Sequence, residues 1–319
     1  MKSFGKAIVI FTVALAMTLS AGSAFAKKGY PSRPVKVIVP YGPGGDSDLA
    51  TRVWADAMER ELGVPFVVVN KSGGSGVVGT AFAARAKADG YTLSNAGIGN
   101  TLISPNFSNA PYSLASFKPV VKNIANPFCF VVPADSPYKT FQDFIDACKA
   151  NPGRVTLGSY GAASSGTIMA SMIANQLGFK PKFVQASGGA LSMVSLIGGH
   201  IDACVSFPPI ADPHVKSGKA RIIALGQRMD AYPGVPSFAD FGVEGVFEGY
   251  GGIFAPAGVP QDVVDILVEA SKKAIKDPKV VKAFHNMNAL IDFRHGESWE
   301  KELEGAYNGF SEAAKAFKK

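Results

Sequence analysis

The sequence predicts an α/β protein of two lobes, and three observations carry that prediction. Short β-branched strands alternate with glycine-rich loops and with helices of period 3.6, the mark of parallel βα units. The same strand–loop–helix run starts again at Val155, after the stop Asn151-Pro152-Gly153. Strands near Phe130 and Ile253 join the two blocks, so the chain crosses between them twice.

The first unit organises the rest. Val37-Ile38-Val39 is a strand, Tyr41 to Gly45 is a glycine turn, and a helix follows with apolar residues at Leu49, Ala50, Val53, Trp54, Ala57, Met58 and Leu62. Asp46 or Ser47 can cap its first turn, and Gly63 stops it. A strand, a glycine turn and a helix N-terminus leave backbone N–H groups pointing into a crevice, which attracts anions. Phe66–Asn70 is the second strand, leading through Lys71–Gly76 into a helix over Ala81, Phe82 and Ala84. Asp89-Gly90 turns the chain into the strand Tyr91–Ser94, which ends in Asn95–Asn100.

Phe128–Val132 is the first crossing strand, and Thr140 caps a helix over Phe141, Phe144, Ile145 and Ala147. The second block runs from the strand Val155-Thr156-Leu157 through Gly158–Thr167 to a helix from Ile168 to Leu177. The strand Lys182–Val184 opens into Gln185–Gly189, the helix Ala190–Ile197 follows, and the strands Ile201–Val205 and Arg221–Leu225 complete the block. After a loop-rich section with Pro233 and Pro236 comes the strand Tyr250–Phe254. Helices over Pro260–Lys276, Pro278–Asn286 and Ser298–Phe317 finish the chain.

The first 26 residues read as an export leader. Lys2 and Lys6 precede an apolar run from Ala7 to Leu19, and Ala24-Phe25-Ala26 fits the small-x-small cleavage rule. The run is too short to span a bilayer comfortably, and no later stretch is long and apolar enough. Cleavage after Ala26 would give an exported, periplasmic protein of 293 residues and lower the net charge from +7 to +5, because the leader holds two lysines and no acid. The basic residues are scattered, which argues against nucleic acid as a partner. Of the three cysteines, Cys129 and Cys204 lie in apolar strand-like runs, as small buried hydrophobes or as a bridged pair.

Ligand contacts are expected on the loops at the carboxyl ends of the strands. In the first block these are Tyr41, Pro43, Gly44, Gly45, Asp46 and Asp48, then Gly74 and Ser75, then Gly97, Ile98 and Asn100. In the second they are Ser159, Gly161, Ala162, Ala163, Ser164, Ser165 and Thr167, then Gln185, Ser187 and Gly188, with Phe207 beyond the next strand. Each has a plain alternative. The glycines serve turns, Tyr41 and Phe207 can be core, and the hydroxyls can cap the following helix. Asp46 is either a cap or the partner of a ligand amine or hydroxyl, and Asp48 reads as a hydrogen-bonding residue within its lobe. These loops hold no arginine and one lysine, Lys71, so an anion would rest on backbone N–H groups, hydroxyls and helix termini.

Gly74-x-Gly76-x-x-Gly79 satisfies the dinucleotide fingerprint, but the next strand ends in Ser94-Asn95-Ala96-Gly97, without the acid that would hold a ribose. No Gly-x-Ser-x-Gly or phosphate-loop motif occurs, and His200, His214, His285 and His295 are never at metal-ligand spacing. The reading is therefore a binding protein rather than an enzyme, with no cofactor, metal or catalytic residue. Two alternatives stand beside it: a sensor subunit that presents its ligand-bound form to a signalling partner, and an exported hydrolase with a site assembled from distant loops.

Several motifs resemble one family. Pro34–Pro40 with Gly44-Gly45-x-x-Asp48, Asn70-x-x-Gly73-x-x-Gly76-x-x-Gly79, Asp89-Gly90-Tyr91-Thr92-Leu93, Asn151-Pro152-Gly153 and Ala255–Pro260 are similar, in order, to Bug-type (TctC-like) solute receptors of tripartite tricarboxylate transporters. The resemblance implies a type II periplasmic binding fold: two α/β lobes, a two-strand hinge and a ligand between the lobes. Here that would mean lobe 1 at 27–128 plus 251–319 and lobe 2 at 129–250. It implies a monomeric receptor, without stable membrane insertion, that binds a small organic anion and passes it to membrane permease subunits. Two loops depart from the pattern. Ala163-Ser164-Ser165-Gly166-Thr167 replaces the usual Gly-Ser-Thr-Ser-His, and Val184-Gln185-Ala186-Ser187-Gly188 replaces Val-Pro-Tyr-Lys-Gly. Both fall where the family closes over its ligand, so they bear on the ligand and not on the fold.

Overall fold

The structure, a computed structural model, describes residues 29–245 and 248–317, so the expected leader lies outside it. Residues 29–32 carry no helix or strand, while Arg33–Lys319 forms one compact unit containing two sheets.

In chain order the first lobe supplies β1 (Val35–Val39), α1 (Asp46–Leu62), β2 (Phe66–Asn70), α2 (Val77–Ala84), β3 (Thr92–Gly97) and β4 (Phe117–Pro127). The second supplies β5 (Cys129–Pro133), α3 (Phe141–Ala150), β6 (Thr156–Ser159), α4 (Ser165–Leu177), β7 (Lys182–Gln185), α5 (Gly189–Ile197), β8 (Ala203–Ser206), α6 (Pro208–Lys216) and β9 (Ala220–Leu225). The chain then returns for β10 (Glu248–Pro256), α7 (Gln261–Ala274), α8 (Pro278–Asn286), β11 (Ile291–Arg294) and α9 (Glu297–Phe317).

The first sheet has the order β11-β4-β10-β3-β1-β2 and the second β7-β6-β8-β5-β9. Each is mixed. β1 pairs in parallel with β2 and β3, and β6 with β7 and β8, whereas the crossing strands β10 and β5 pair antiparallel with their neighbours. Only Phe128 separates β4 from β5, and the Gly226 N–H donates to its carbonyl at 2.7 Å, tying the first crossing to the end of β9. Two apolar cores result. Phe130, Phe141, Phe144 and Phe238 centre one, and Phe117, Phe254 and Trp299 the other; Ile98 packs against both.

The expected strands and most of the helices are present within a residue or two. The short helical turns Gly99–Ile103 and Ser104–Phe107, together with β4, α6 and β11, were not expected from the sequence. β4 is eleven residues long, with two lysines and two asparagines breaking its apolar run. Lys122 is nevertheless 1% exposed, paired with Asp292 at 2.7 Å and Glu302 at 3.0 Å, which also pins β11 and α9 to the sheet. Prolines 208, 209 and 213 disguised α6, yet the first two sit at helix N1 and N2, where no N–H is needed. The possible Cys129–Cys204 bridge is not formed. The two lie on adjacent strands but face Ser206 and Val131, and all three cysteines are buried free thiols.

Candidate ligand-binding cleft

Parallel strands put their carboxyl ends at one edge of a sheet. β1, β2 and β3 of the first sheet and β6, β7 and β8 of the second all end toward the same gap, and the loop after each strand lines it. One cavity is bounded by Tyr41, Gly42, Gly45, Asp46 and Ser47 after β1, Gly97 to Gly99 at the end of β3, and Tyr160 and Ser165 after β6. Gly189, Phe207 and Ile210 close it from the second lobe, and Gly249 and Tyr250 from the crossing strand β10. A second space lies between Ser72–Gly76 of the first lobe and Tyr160, Gly161, Ala186 and Ser187 of the other.

The lobes meet closely around these cavities. A Cβ added to Gly99 would come within 2.8 Å of the Tyr41 hydroxyl and 3.4 Å of the Ser165 nitrogen. Gly161, at φ +115, lies so near Ser75 that a Cβ there would strike that side chain. Ser75 itself holds φ 57, a left-handed conformation that is uncommon for a residue other than glycine.

The first cavity combines helix N-termini, aromatic walls and one acid. α1, α4, α5 and α6 all begin on its lining, at Asp46, Ser165, Gly189 and just past Phe207. Unpaired N–H groups in the first turns of α1, α4 and α5 favour negative charge, whereas α6 offers none: Pro208 and Pro209 lack an N–H, and the Ile210 N–H donates to the Phe207 carbonyl. Burial holds the hydroxyls of Tyr41, Tyr160 and Tyr250 far above their ordinary range, so they act as neutral hydrogen-bonding groups. The Tyr250 hydroxyl is fixed against Thr101 Oγ1 at 2.5 Å. Among the described residues Asp46 is the only charged one on the lining, and no Lys, Arg or His stands there. Asn126 Nδ2, on β4, donates to Asp46 Oδ1 at 2.7 Å. Burial pushes this carboxyl up to about 7, although the Asn126 bond acts in the opposite direction.

Of the residues expected from sequence, Tyr41, Gly45, Asp46, Gly97, Ile98, Ser165 and Phe207 line the first cavity, and Gly74, Ser75, Gly161 and Ser187 the second. The others are placed differently. Asp48 is engaged within its lobe: the Gly44 N–H (2.9 Å), Arg52 Nε (3.0 Å) and Asn70 Nδ2 (2.9 Å) all donate to it. Burial would raise its carboxyl, but these donors outweigh burial and hold it below the usual range. Gly44 thus spends its N–H on Asp48, and it and Pro43 are exposed. Asn100 is consumed by the Gly97 N–H and by Thr80.

Ser159, Ser164 and Thr167 form a buried hydroxyl cluster, and Gln185 Oε1 accepts from the Gly161 N–H at 2.8 Å. Ser164 is the cap of α4, accepting from the Thr167 N–H at 3.2 Å. Gly188 is the cap residue of α5, and Ala162 and Ala163 line neither cavity. α1 has no side-chain cap: Gly45 takes that position, and Asp46 is free to turn into the cleft. Sequence reasoning singled out neither Tyr160, Ile210, Gly249 nor Tyr250, which complete the walls. A tyrosine next to the glycines Gly249 and Gly251 in a crossing strand was the available signal for Tyr250.

Two α/β lobes whose parallel strands end on one shared gap define a solute-binding receptor of the periplasmic-binding-protein class. Tripartite tricarboxylate transporter family receptors (TctC) match over residues 50–296, and the chain belongs to that family. It is 34% identical over 280 residues to the UPF0065 protein in gbd 5'region of Cupriavidus necator, covering 85% of this chain and 83% of that protein. Among solved structures, a periplasmic transporter shares the fold at TM-score 0.86 and 33% identity, covering 90% of this chain and 98% of its own. The periplasmic binding protein BugD does so at TM-score 0.84 and 26% identity over the same shares. The chain is a receptor, not an enzyme. Among the described residues no helix is long and apolar enough to cross a membrane.

Proposed function

We propose that the protein is exported, cleaved after Ala26, and serves as the periplasmic receptor of a tripartite tricarboxylate transporter. It captures a small organic acid as its carboxylate between the lobes and delivers it to the membrane permease subunits. The supporting observation is the convergence of three helix N-termini, α1 from the first lobe and α4 and α5 from the second, on one cavity. Each terminus contributes about 0.3–1 kcal/mol toward an anion, rising to about 2 where partly buried. Three together give at most about 6 kcal/mol, and hydrogen bonds from the lining hydroxyls to the charged group, about 1.5–3 kcal/mol each, bring the total to the roughly 8 kcal/mol of a micromolar complex without an ion pair. In this reading the lobe boundaries fall at Phe128 and near Tyr250, and the two crossings are the hinge. A ligand that bridges the lobes favours the closed state by its differential contacts.

A thermal-shift screen of small carboxylates and amino acids tests the assignment. A ligand at a hundred times its dissociation constant adds about 2.7 kcal/mol of stability. No stabilisation by any member of a broad panel would overturn the receptor reading.

A further inference from the structure

Asp46 does not fit a site built for anions alone. Its carboxyl lines the main cavity at the start of α1, and its only donor among the described residues is Asn126, on Oδ1; Oδ2 has none. Among the described residues nothing positive lines the cavity beside it. The basic side chains nearest the cleft loops are committed elsewhere: Arg52 to Asp48, Lys71 over the Phe82 ring, and Lys122 to Asp292 and Glu302. Around Asp46 the same cavity carries the rings of Tyr41, Tyr160, Phe207 and Tyr250. A carboxylate among aromatic faces, with no competing cation, is the chemistry that holds a protonated amine: the acid supplies the counter-charge and the rings their negative faces.

We propose that the cleft contains an ammonium subsite formed by Asp46 and the surrounding rings, so that the transported solute is a zwitterionic amino acid or related amino-carboxylate and not a simple dicarboxylate. This rests on the receptor reading above and narrows its ligand class. The solute's carboxylate lies against the second-lobe termini at Ser165 and Gly189, and its ammonium against Asp46 of the first lobe. Each end then meets a different lobe, and closure brings both contacts together. A second carboxylate at the Asp46 position would instead meet a like charge with no cation to offset it. Because burial pushes Asp46 up to about 7, pairing with an ammonium also restores the ionised form that burial disfavours.

The test is isothermal titration of the full mature protein, at pH 8, with solutes that differ only by the amine: alanine against propionate, aspartate against succinate, and glutamate against glutarate. The expected result is at least a tenfold preference for the amino member of any pair that binds, abolished in Asp46→Asn. Equal or tighter binding of the member without the amine overturns the proposal and leaves the receptor reading intact. If none of the six binds, the screen above decides. Hits without a protonated nitrogen overturn the ammonium subsite alone, and the absence of any hit removes both readings. The wild-type comparison stands even if Asp46→Asn fails to fold.

Discussion

The loop after β1 and the loop after β6 occupy equivalent places in the two lobes but solve the helix-start problem differently. In the second lobe, Ser164 caps α4, and Ser159, Thr167 and Gln185 close a hydroxyl and amide network around it. Most of those side chains are satisfied by each other, leaving Ser165 and backbone N–H groups to face the cleft. In the first lobe no side chain caps α1, Asp48 is buried within the lobe, and Asp46 faces the cleft as an acid with one neutral donor. One wall therefore offers donors and the other an acceptor. At 5 Å and an effective dielectric of 20, a like charge opposite Asp46 costs about 3 kcal/mol, and a unit positive charge gains as much before desolvation.

The largest expected effect comes from forcing the walls apart. Gly161→Val places a β-branched side chain on Ser75 at a φ of +115 that valine rarely adopts. Ligand affinity is expected to fall by about 2–3 kcal/mol, and small-angle scattering should show a more extended molecule. Unchanged affinity would mean that this contact does not control closure.

The acidic wall is tested by stability against pH. Folding raises Asp46 from 3.8 to about 7, so the unfolded chain ionises first. Its contribution to stability is then fully present below about pH 4 and lost as the pH climbs through 7. Asp46→Asn should remove this slope and exceed wild-type stability at pH 8 by about 2 kcal/mol, roughly half of the full linkage value because the cavity leaves the carboxyl some solvent. Urea denaturation at pH 4 and pH 8 reads the difference, and parallel pH profiles of the two proteins would show that Asp46 titrates normally.

On the opposite wall, two adjacent serines should separate. Ser165→Ala should weaken ligand binding by about 1 kcal/mol with little change in stability. Ser164→Ala should instead cost about 1 kcal/mol of stability through its lost cap, with affinity almost unaltered. The reverse pattern would exchange their roles. The smallest effect concerns the thiols: burial pushes Cys148 and Cys204 up to about 12 and Cys129 higher than usual as well. A thiol reagent should therefore find all three only after unfolding, and reductant should leave the melting temperature unchanged.

Much of this was legible in the chain. Val37–Val39 and Phe66–Asn70 are strands by their β-branched side chains, and the glycine loops after them mark where a ligand approaches. The elements that escaped notice are those whose sequence signal is cancelled by their surroundings. β4 carries a buried lysine that only Asp292 and Glu302 make tolerable, and α6 carries three prolines. Within the site, residue type indicated which loops matter but not which side chains are already spoken for. Ser159, Thr167, Asn100 and Asp48 have suitable chemistry and spend it on neighbours.

Local pattern thus determined the α/β class, the two blocks and the six loops, because strand propensity, glycine turns and helical periodicity act within a few residues. Only the tertiary structure decided that Asp46 stands alone in an aromatic cavity while Asp48, two residues away, is neutralised inside its lobe. Residues two apart on a helix point about 200 degrees apart, to nearly opposite faces. Whether each meets a cation, a donor or open space depends on strands that lie far away in the chain.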